Sequence, residues 1–405
     1  MGNSDNNATV RWLLSPEAIR EQSGCLYNSA VKDTLQHFQY HPSIMNDVAD
    51  LVADTTRSNY PDLQIPFHAR WRHFIINNED RSNPIFEHLS KDPLEKARSK
   101  VELAITSVLL DAGAGAKWCY RDTSSGLLFS RSEGLALASL NLFASGVFSS
   151  NPNKPLQTDN ISNFTAAQLA DAFQVSKSNP LDGLEGRADL IAKLGVTVNR
   201  NTNVFGEERP RLGHLVDYLI KLSAGRQIPA KTILDTILSS FGDIWPGRIK
   251  LHGNNLGDCW YHPKAGKSRL VPFHKLSQWL TYSVIEPLLE LGVKVTNLDD
   301  LTGLAEYRNG GLFIDTGVLS LRDKSMVRKP LNPSHPLVVE WRALTICLLD
   351  KIAILVRDRL DKTKEEMPLA SVLEGGTWSA GRHVAKQKRQ DGTPPISILS
   401  DGSVF

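Results

Sequence analysis

The segment Leu301-Thr302-Gly303-Leu304-Ala305-Glu306-Tyr307-Arg308-Asn309-Gly310-Gly311 sets a carboxylate, a phenol and a guanidinium side by side among glycines. That trio suits a pocket for a charged, sugar-like ligand. The carboxylate can face positive charge, the guanidinium an anion, and the phenol can wall the space. Upstream, His274, Lys275, Gln278 and Trp279 follow helical spacing, with His274/Gln278 and Lys275/Trp279 each four residues apart. A helix starting at Phe273-His274-Lys275 would add backbone N–H groups and a lysine, which together favour an anion. The same residues also fit a plain corner between helices, with Tyr307 in the core and Glu306 and Arg308 in solvent. No short catalytic motif decides between the two.

Other runs carry usable chemistry. Phe67-His68-Ala69-Arg70-Trp71-Arg72-His73-Phe74 concentrates basic and aromatic groups that would hold a phosphate through arginine forks, or else pack as aromatics with exposed arginines. Asp111-Ala112-Gly113-Ala114-Gly115 ends an apolar helix. A carboxylate there lies at the unfavourable end of the helix dipole, so Asp111 is a candidate for a polar or proton-handling role, unless the loop only ends the helix. Glu185 and Arg187 sit on a helix pattern with two glycines, Gly183 and Gly186, in one turn. Each glycine inside a helix costs about 1 kcal/mol relative to alanine, so the pair suggests close backbone packing or a ligand. In Arg131-Ser132-Glu133-Gly134, Ser132 reads as a cap with Glu133 in the first turn.

These residues need a scaffold, and the chain is long enough to supply one. Its 405 residues are 41% hydrophobic and 22% charged, which allows a sizeable core. A net charge of +2 gives no general drive toward nucleic acid or an anionic membrane. The four cysteines are scattered, with no CxxC pair, so neither zinc nor a disulfide framework is expected. The polar N-terminus lacks the basic-then-apolar order of a signal peptide, and no apolar run reaches membrane-span length. A cytoplasmic protein without metal or cofactor is the expectation.

The hydrophobic period is mainly helical. Ser15-Pro16-Glu17 is a cap with proline at the first helical position. The run from Pro93 to Leu110 places Val101, Ile105 and Val108 on one face. Helices are also predicted from Ser132 to Phe143, after the capping box Thr165–Gln168, and over 181–194, 212–222, 230–241, 274–291, 338–360 and 369–384. Strand signals are few: a hairpin at 118–120 and 127–129, and short runs at 248–251 and 270–272. Arg382 to Arg389 reads as a solvated basic face. The apolar end of Ile396–Phe405 suggests a docked terminus.

Four runs also resemble a known family. Leu110–Gly115, Arg131-Ser132-Glu133-Gly134-Leu135-Ala136, Asn179–Arg187 and the ending Ser400-Asp401-Gly402-Ser403-Val404-Phe405 look like the uracil-catabolism family of fungi and bacteria, from about residue 35 onward. The resemblance implies a pathway that converts uracil to its nucleotide, opens the ring and must then release urea from a ribosylurea compound. From about residue 105 to 385 the order of motifs is also similar to the queuosine salvage family. Thr302, Ala305, Tyr307 and Arg308 match its T-x-F-A-D-Y-R-x-P-Q signature, with Glu306 where that family has its catalytic Asp and Asn309-Gly310-Gly311 in place of x-P-Q. Lys275 and Gln278 match its K-R-A-Q helix, and Glu185 with Arg187 resembles its third block.

These resemblances imply a mainly α fold, a helical DNA-glycosylase-like bundle with a small β ribbon. Residues 1–60 would form an N-terminal helical arm and 61–405 one continuous N-ribohydrolase-like domain. They imply hydrolysis of an N-ribosyl bond in a ring-opened pyrimidine nucleotide. Glu306 would stabilise the ribosyl cation, and Asp111 would serve the leaving nitrogen. His274, Lys275 and Arg308 would bind a 5′-phosphate, while Tyr307, Trp279 and Trp118 would wall the pocket. The expected partner is a small nucleotide, together with other enzymes of the pathway, and neither nucleic acid nor membrane. The reading of a different class is a non-catalytic nucleotide-binding or scaffold protein that assists the ring-opening enzyme.

Overall fold

Helix-start signals decide where much of the backbone turns helical. Ser15 caps Pro16–Val31 by accepting the Ala18 N–H, and Asp92 caps Pro93–Leu109 through the Glu95 N–H. Thr165 and Gln168 form a complete capping box ahead of Ala166–Ala172. The computed structural model describes residues 2–115, 117–245 and 248–399. The fold is mainly α, with only short paired strands. Among the described residues no helix is long and apolar enough to cross a membrane. The described chain divides into two units: residues 2–68, 248–278 and 297–399 in the first, 69–245 and 279–296 in the second.

The first unit is built on Pro336–Leu360, whose buried face includes Leu337, Val338, Ala343, Leu348, Ile352 and Val356. Proline at its first position and the left-handed Asp361 after its last set its limits. Pro16–Val31 and Met45–Asn59 pack on this helix, and Tyr307–Asp315 packs on Trp378–Lys388. Three antiparallel pairs edge the unit: Phe38–Tyr40 with Leu319–Leu321, Cys259–Tyr261 with Leu270–Pro272, and Lys250–Leu251 with Asn254–Asn255. The runs predicted at 248–251 and 270–272 are thus strands that pair with their own neighbours.

In the second unit Pro93–Leu109 is buried along most of its length and packs on Arg131–Ala144 and His214–Leu222. Leu184–Arg200 lies beside the short turn Ile161–Asn163, where Gly195 leaves no room for a side chain against the Ser162 backbone. The predicted hairpin forms, trimmed to Tyr120–Arg121 and Leu128–Phe129. Gln227–Pro229 and Lys294–Thr296 make a parallel pair.

Three local expectations are corrected. The helix Arg131–Ala144 has Ser130, not Ser132, at its cap position. Gly183 is not inside Leu184–Arg200 but just before it, at φ +70°, a left-handed turn that glycine takes freely. The helix predicted over 369–384 forms without a break, but a π turn at Leu373–Thr377 interrupts its α geometry between Leu369–Val372 and Trp378–Lys388. The ending Ser400–Phe405 lies outside the described residues.

Candidate active site

The Glu306 segment is shaped by the helix it starts. Glu306 takes an extended backbone (φ −116°, ψ 166°) and is the N-cap of Tyr307–Asp315. Its carboxylate accepts the N–H groups of Arg308 at 2.9 Å and Asn309 at 2.6 Å. A carboxylate at this helix end is favoured by the dipole and uses only part of its acceptor capacity. The side chain is half-buried, between core and solvent.

Arg308, by contrast, is buried, with its Cζ 4.3 Å from the Trp378 ring centroid and 5.2 Å from that of Tyr307. The close packing depends on Gly381: a Cβ there would run into the Arg308 carbonyl. The tryptophan stands at the end of the π turn. Within the turn, Glu374 accepts from Tyr60 Oη at 3.2 Å and lies 2.7 Å from His68 Nδ1. The His68 ring in turn lies 5.7 Å from Trp378. Thr377 donates to Asn309 Oδ1 at 2.9 Å, tying the π turn to the Glu306 helix. π turns are rare and recur at functional sites. The sequence concealed this one because Leu369, Val372, Ala380 and Val384 keep a near-helical apolar spacing across it. The Gly375-Gly376 pair was the available signal, since a Cβ on Gly376 would meet Val52 of Met45–Asn59.

The start of Lys275–Glu290 holds an anion of the chain's own. Asp258 receives the Lys275 N–H at 3.0 Å, Trp260 Nε1 at 2.7 Å, and both Arg342 Nη atoms at 2.7 Å. Burial opposes the Asp258 charge, but the Arg342 charge and these bonds outweigh it and hold the carboxyl far below its ordinary range. The anion expected near His274 and Lys275 is therefore supplied internally. The His274 ring is buried and its Nε2 lies 2.9 Å from the Leu13 carbonyl. Burial pushes its pKa down, against the Leu13 bond and the Asp258 charge. Gln278, fully buried, accepts the Thr302 N–H at 3.3 Å, and its Nε2 has no partner among the described residues.

The remaining predicted residues belong to the second unit. Asp111 Oδ1 lies 3.1 Å from Nη1 of Arg70, whose side chain is wholly buried. Arg187, also buried, donates to the carbonyls of Leu110, Ala112, Gly113 and Asp182 and so moulds the Asp111 loop. Burial, opposed by Asp111 and Asp182, lowers its pKa to about 10. Gly115 has φ +86°, and a Cβ there would come 2.6 Å from Asp182 Oδ2. The runs 110–115 and 179–187 thus fold against each other. Trp118 is a core residue whose Nε1 donates to the Phe173 carbonyl at 3.0 Å, and Glu185 is exposed. The Trp279 ring lies 5.6 Å from the Arg70 guanidinium. In the sequence Arg70 was one basic residue among several, and nothing local marked it as the partner of Asp111.

The sequence is similar to those of two relatives over nearly the whole length of each. "Protein urg3" of Schizosaccharomyces pombe is 40% identical over 412 residues, covering 98% of this chain and 99% of the relative. "Uracil catabolism protein 4" of Lachancea kluyveri is 37% identical over 437 residues, again covering 98% and 99%. The family described as "Protein of unknown function (DUF1688)" matches residues 12–405, and the chain belongs to that family.

Proposed function

We propose that the chain acts in uracil catabolism as an N-ribohydrolase on ribosylurea 5′-phosphate or a closely related ring-opened pyrimidine nucleotide. Water adds its oxygen to C1′ as the C1′–N bond breaks. The electron pair leaves with the nitrogen, which takes up a proton. The products are urea and ribose 5-phosphate. The pathway comes from the name of the Lachancea relative. The reaction is what the resemblance to the queuosine salvage family implies, and the charge arrangement at the start of Tyr307–Asp315 supports it.

One observation carries the reading: Glu306 and Arg308 stand two residues apart, and each is held independently. Backbone N–H groups fix the carboxylate and the Trp378 face fixes the guanidinium. Charges held before substrate arrives need no reorganisation in the transition state. Glu306 would meet the positive charge at C1′, and Arg308 would grip the phosphate. The buried Gln278 Nε2 is a donor suited to a ribose hydroxyl.

The second reading, a non-catalytic nucleotide-binding protein, is favoured by the same cap. Both Glu306 oxygens already accept backbone N–H groups, which is a complete structural role. Urea release by the purified chain alone, from ribosylurea 5′-phosphate, separates the two. The hydrolase should turn over unaided, and Glu306→Gln should abolish release while ribose 5-phosphate binding changes by no more than a few-fold. Near-normal turnover by Glu306→Gln excludes the role given to Glu306. Nucleotide binding without any turnover by the unaltered chain establishes the second reading.

A further inference from the structure

We infer that the buried Arg70–Asp111 pair is a binding site for a small, neutral, planar ligand whose carbonyl oxygen neighbours an N–H, the edge shared by ureas, cyclic imides and pyrimidine bases. The site lies in the second unit, and its argument does not depend on the hydrolase reading.

Arg70 is anchored on nearly every side. Its backbone N–H donates to Ser283 Oγ at 2.9 Å, and the neighbouring Trp71 Nε1 donates to the Ser283 carbonyl at 2.8 Å. Its Nε donates to Ser107 Oγ at 2.7 Å, and that hydroxyl lies 2.6 Å from Ser139 Oγ. Nη1 faces Asp111 at 3.1 Å. Trp279 and Phe74 flank the guanidinium, with ring centroids 5.6 and 5.7 Å away. Nη2 is left over: it is buried and has no hydrogen-bond partner among the described residues. A buried donor on a charged group is costly to leave unsatisfied, and such groups are rare in folded proteins. Arg–carboxylate pairs are frequently bidentate. Here Asp111 meets Nη1, and Nη2 makes no second bond of a fork.

The neighbouring charges select the ligand. The carboxylates of Asp111 and Glu133 both act on Arg70. A phosphate would be drawn to Arg70 but repelled by both acids, whose charges are weakly screened in a buried site. A cation would be repelled by Arg70. A neutral group with one acceptor and one donor side by side satisfies Nη2 and gives an N–H to Asp111 without adding charge. The Asp111 loop, Ala112-Gly113-Ala114-Gly115, has no side chain beyond a methyl, so the carboxylate can be approached closely. Arg187 keeps that loop in place from beneath.

Calorimetric or NMR titration of the full chain with N-methylurea, uracil and inorganic phosphate tests the inference. The unaltered chain should bind N-methylurea or uracil and ignore inorganic phosphate at this site, as followed by the Trp279 indole signal. Asp111→Asn should weaken the neutral probes at least tenfold and admit phosphate. Arg70→Lys, which keeps the charge but loses the planar donor pair, should abolish probe binding. If Arg70→Lys does not fold, Asp111→Asn and Ser107→Ala decide, the latter by a several-fold loss through a freed guanidinium. Failure of the unaltered chain to bind either neutral probe overturns the site, as does equal affinity in Asp111→Asn. The readout needs no turnover, so a chain that binds N-methylurea but releases no urea keeps this site while losing the hydrolase.

Discussion

The Arg308 guanidinium lies over the Trp378 ring, 4.3 Å from Cζ to centroid, and this contact links the start of one helix to the end of a π turn. A cation over an indole face gains about 0.5–2 kcal/mol, depending on desolvation. Trp378→Ala should therefore raise KM for a phosphorylated substrate roughly 2- to 30-fold by the same energy. Trp378→Phe should keep much of the affinity. KM with and without the 5′-phosphate is the discriminating measurement, because a loss confined to the phosphorylated substrate assigns the effect to Arg308.

Gly381 is where that contact would fail sterically. A Cβ at this position would collide with the Arg308 carbonyl and approach Leu312. Gly381→Ala should push Trp378–Lys388 away from Tyr307–Asp315 and lose about 1–3 kcal/mol of stability, the usual cost of overpacking. Chemical denaturation measures the loss, and turnover should fall with it because Trp378 moves with the helix.

Asp258 gives the first unit a predictable acid response. Burial opposes its charge, but Arg342 and two further donors, Trp260 Nε1 and the Lys275 N–H, outweigh that penalty and depress its pKa in the fold. An unfolded aspartate takes up its proton near pH ~3.9. The pair's contribution is thus fully present above that value and drains away as pH falls through it toward the folded pKa. Near pH 3 the slope from this group alone approaches about 1.4 kcal/mol per pH unit. Asp258→Asn should flatten the slope. At pH 7 it should also cost about 3–5 kcal/mol by stranding Arg342, whose side chain is 1% exposed. Denaturation midpoints between pH 7 and pH 3 check both effects.

Glu102 plays the comparable part in the second unit. It is fully buried and accepts Arg211 Nε and Nη2 at 2.8 Å each, Thr158 Oγ1 at 2.9 Å and the Gly213 N–H at 3.0 Å. Glu102→Ala should lose about 3–5 kcal/mol, because buried Arg211 keeps only Glu95 on Nη1 while its Nε and Nη2, Thr158 Oγ1 and the Gly213 N–H lose their acceptor. A shift in the guanidinium chloride midpoint reports it, and a double variant with Arg211→Met should recover part of the loss.

The sequence by itself determined most of the helices, several of their caps and the family. Helical spacing and capping are local, decided within three or four residues, so Pro16–Val31, Pro93–Leu109 and the Thr165–Gln168 box could be read directly. The Glu306-Tyr307-Arg308 trio was visible as an unusual concentration of chemistry. Only the tertiary structure decided which charges meet. Arg70 finds Asp111, Arg342 finds Asp258 at the helix start where an external anion was expected, and Trp378 finds Arg308. The π turn was equally hidden, because the apolar spacing around it continues and the extra residue is absorbed by packing of Gly376 against Val52. Pairings of this kind join residues far apart in sequence. Their free energy depends on burial and on competing partners, which the whole fold fixes and no short window of sequence contains.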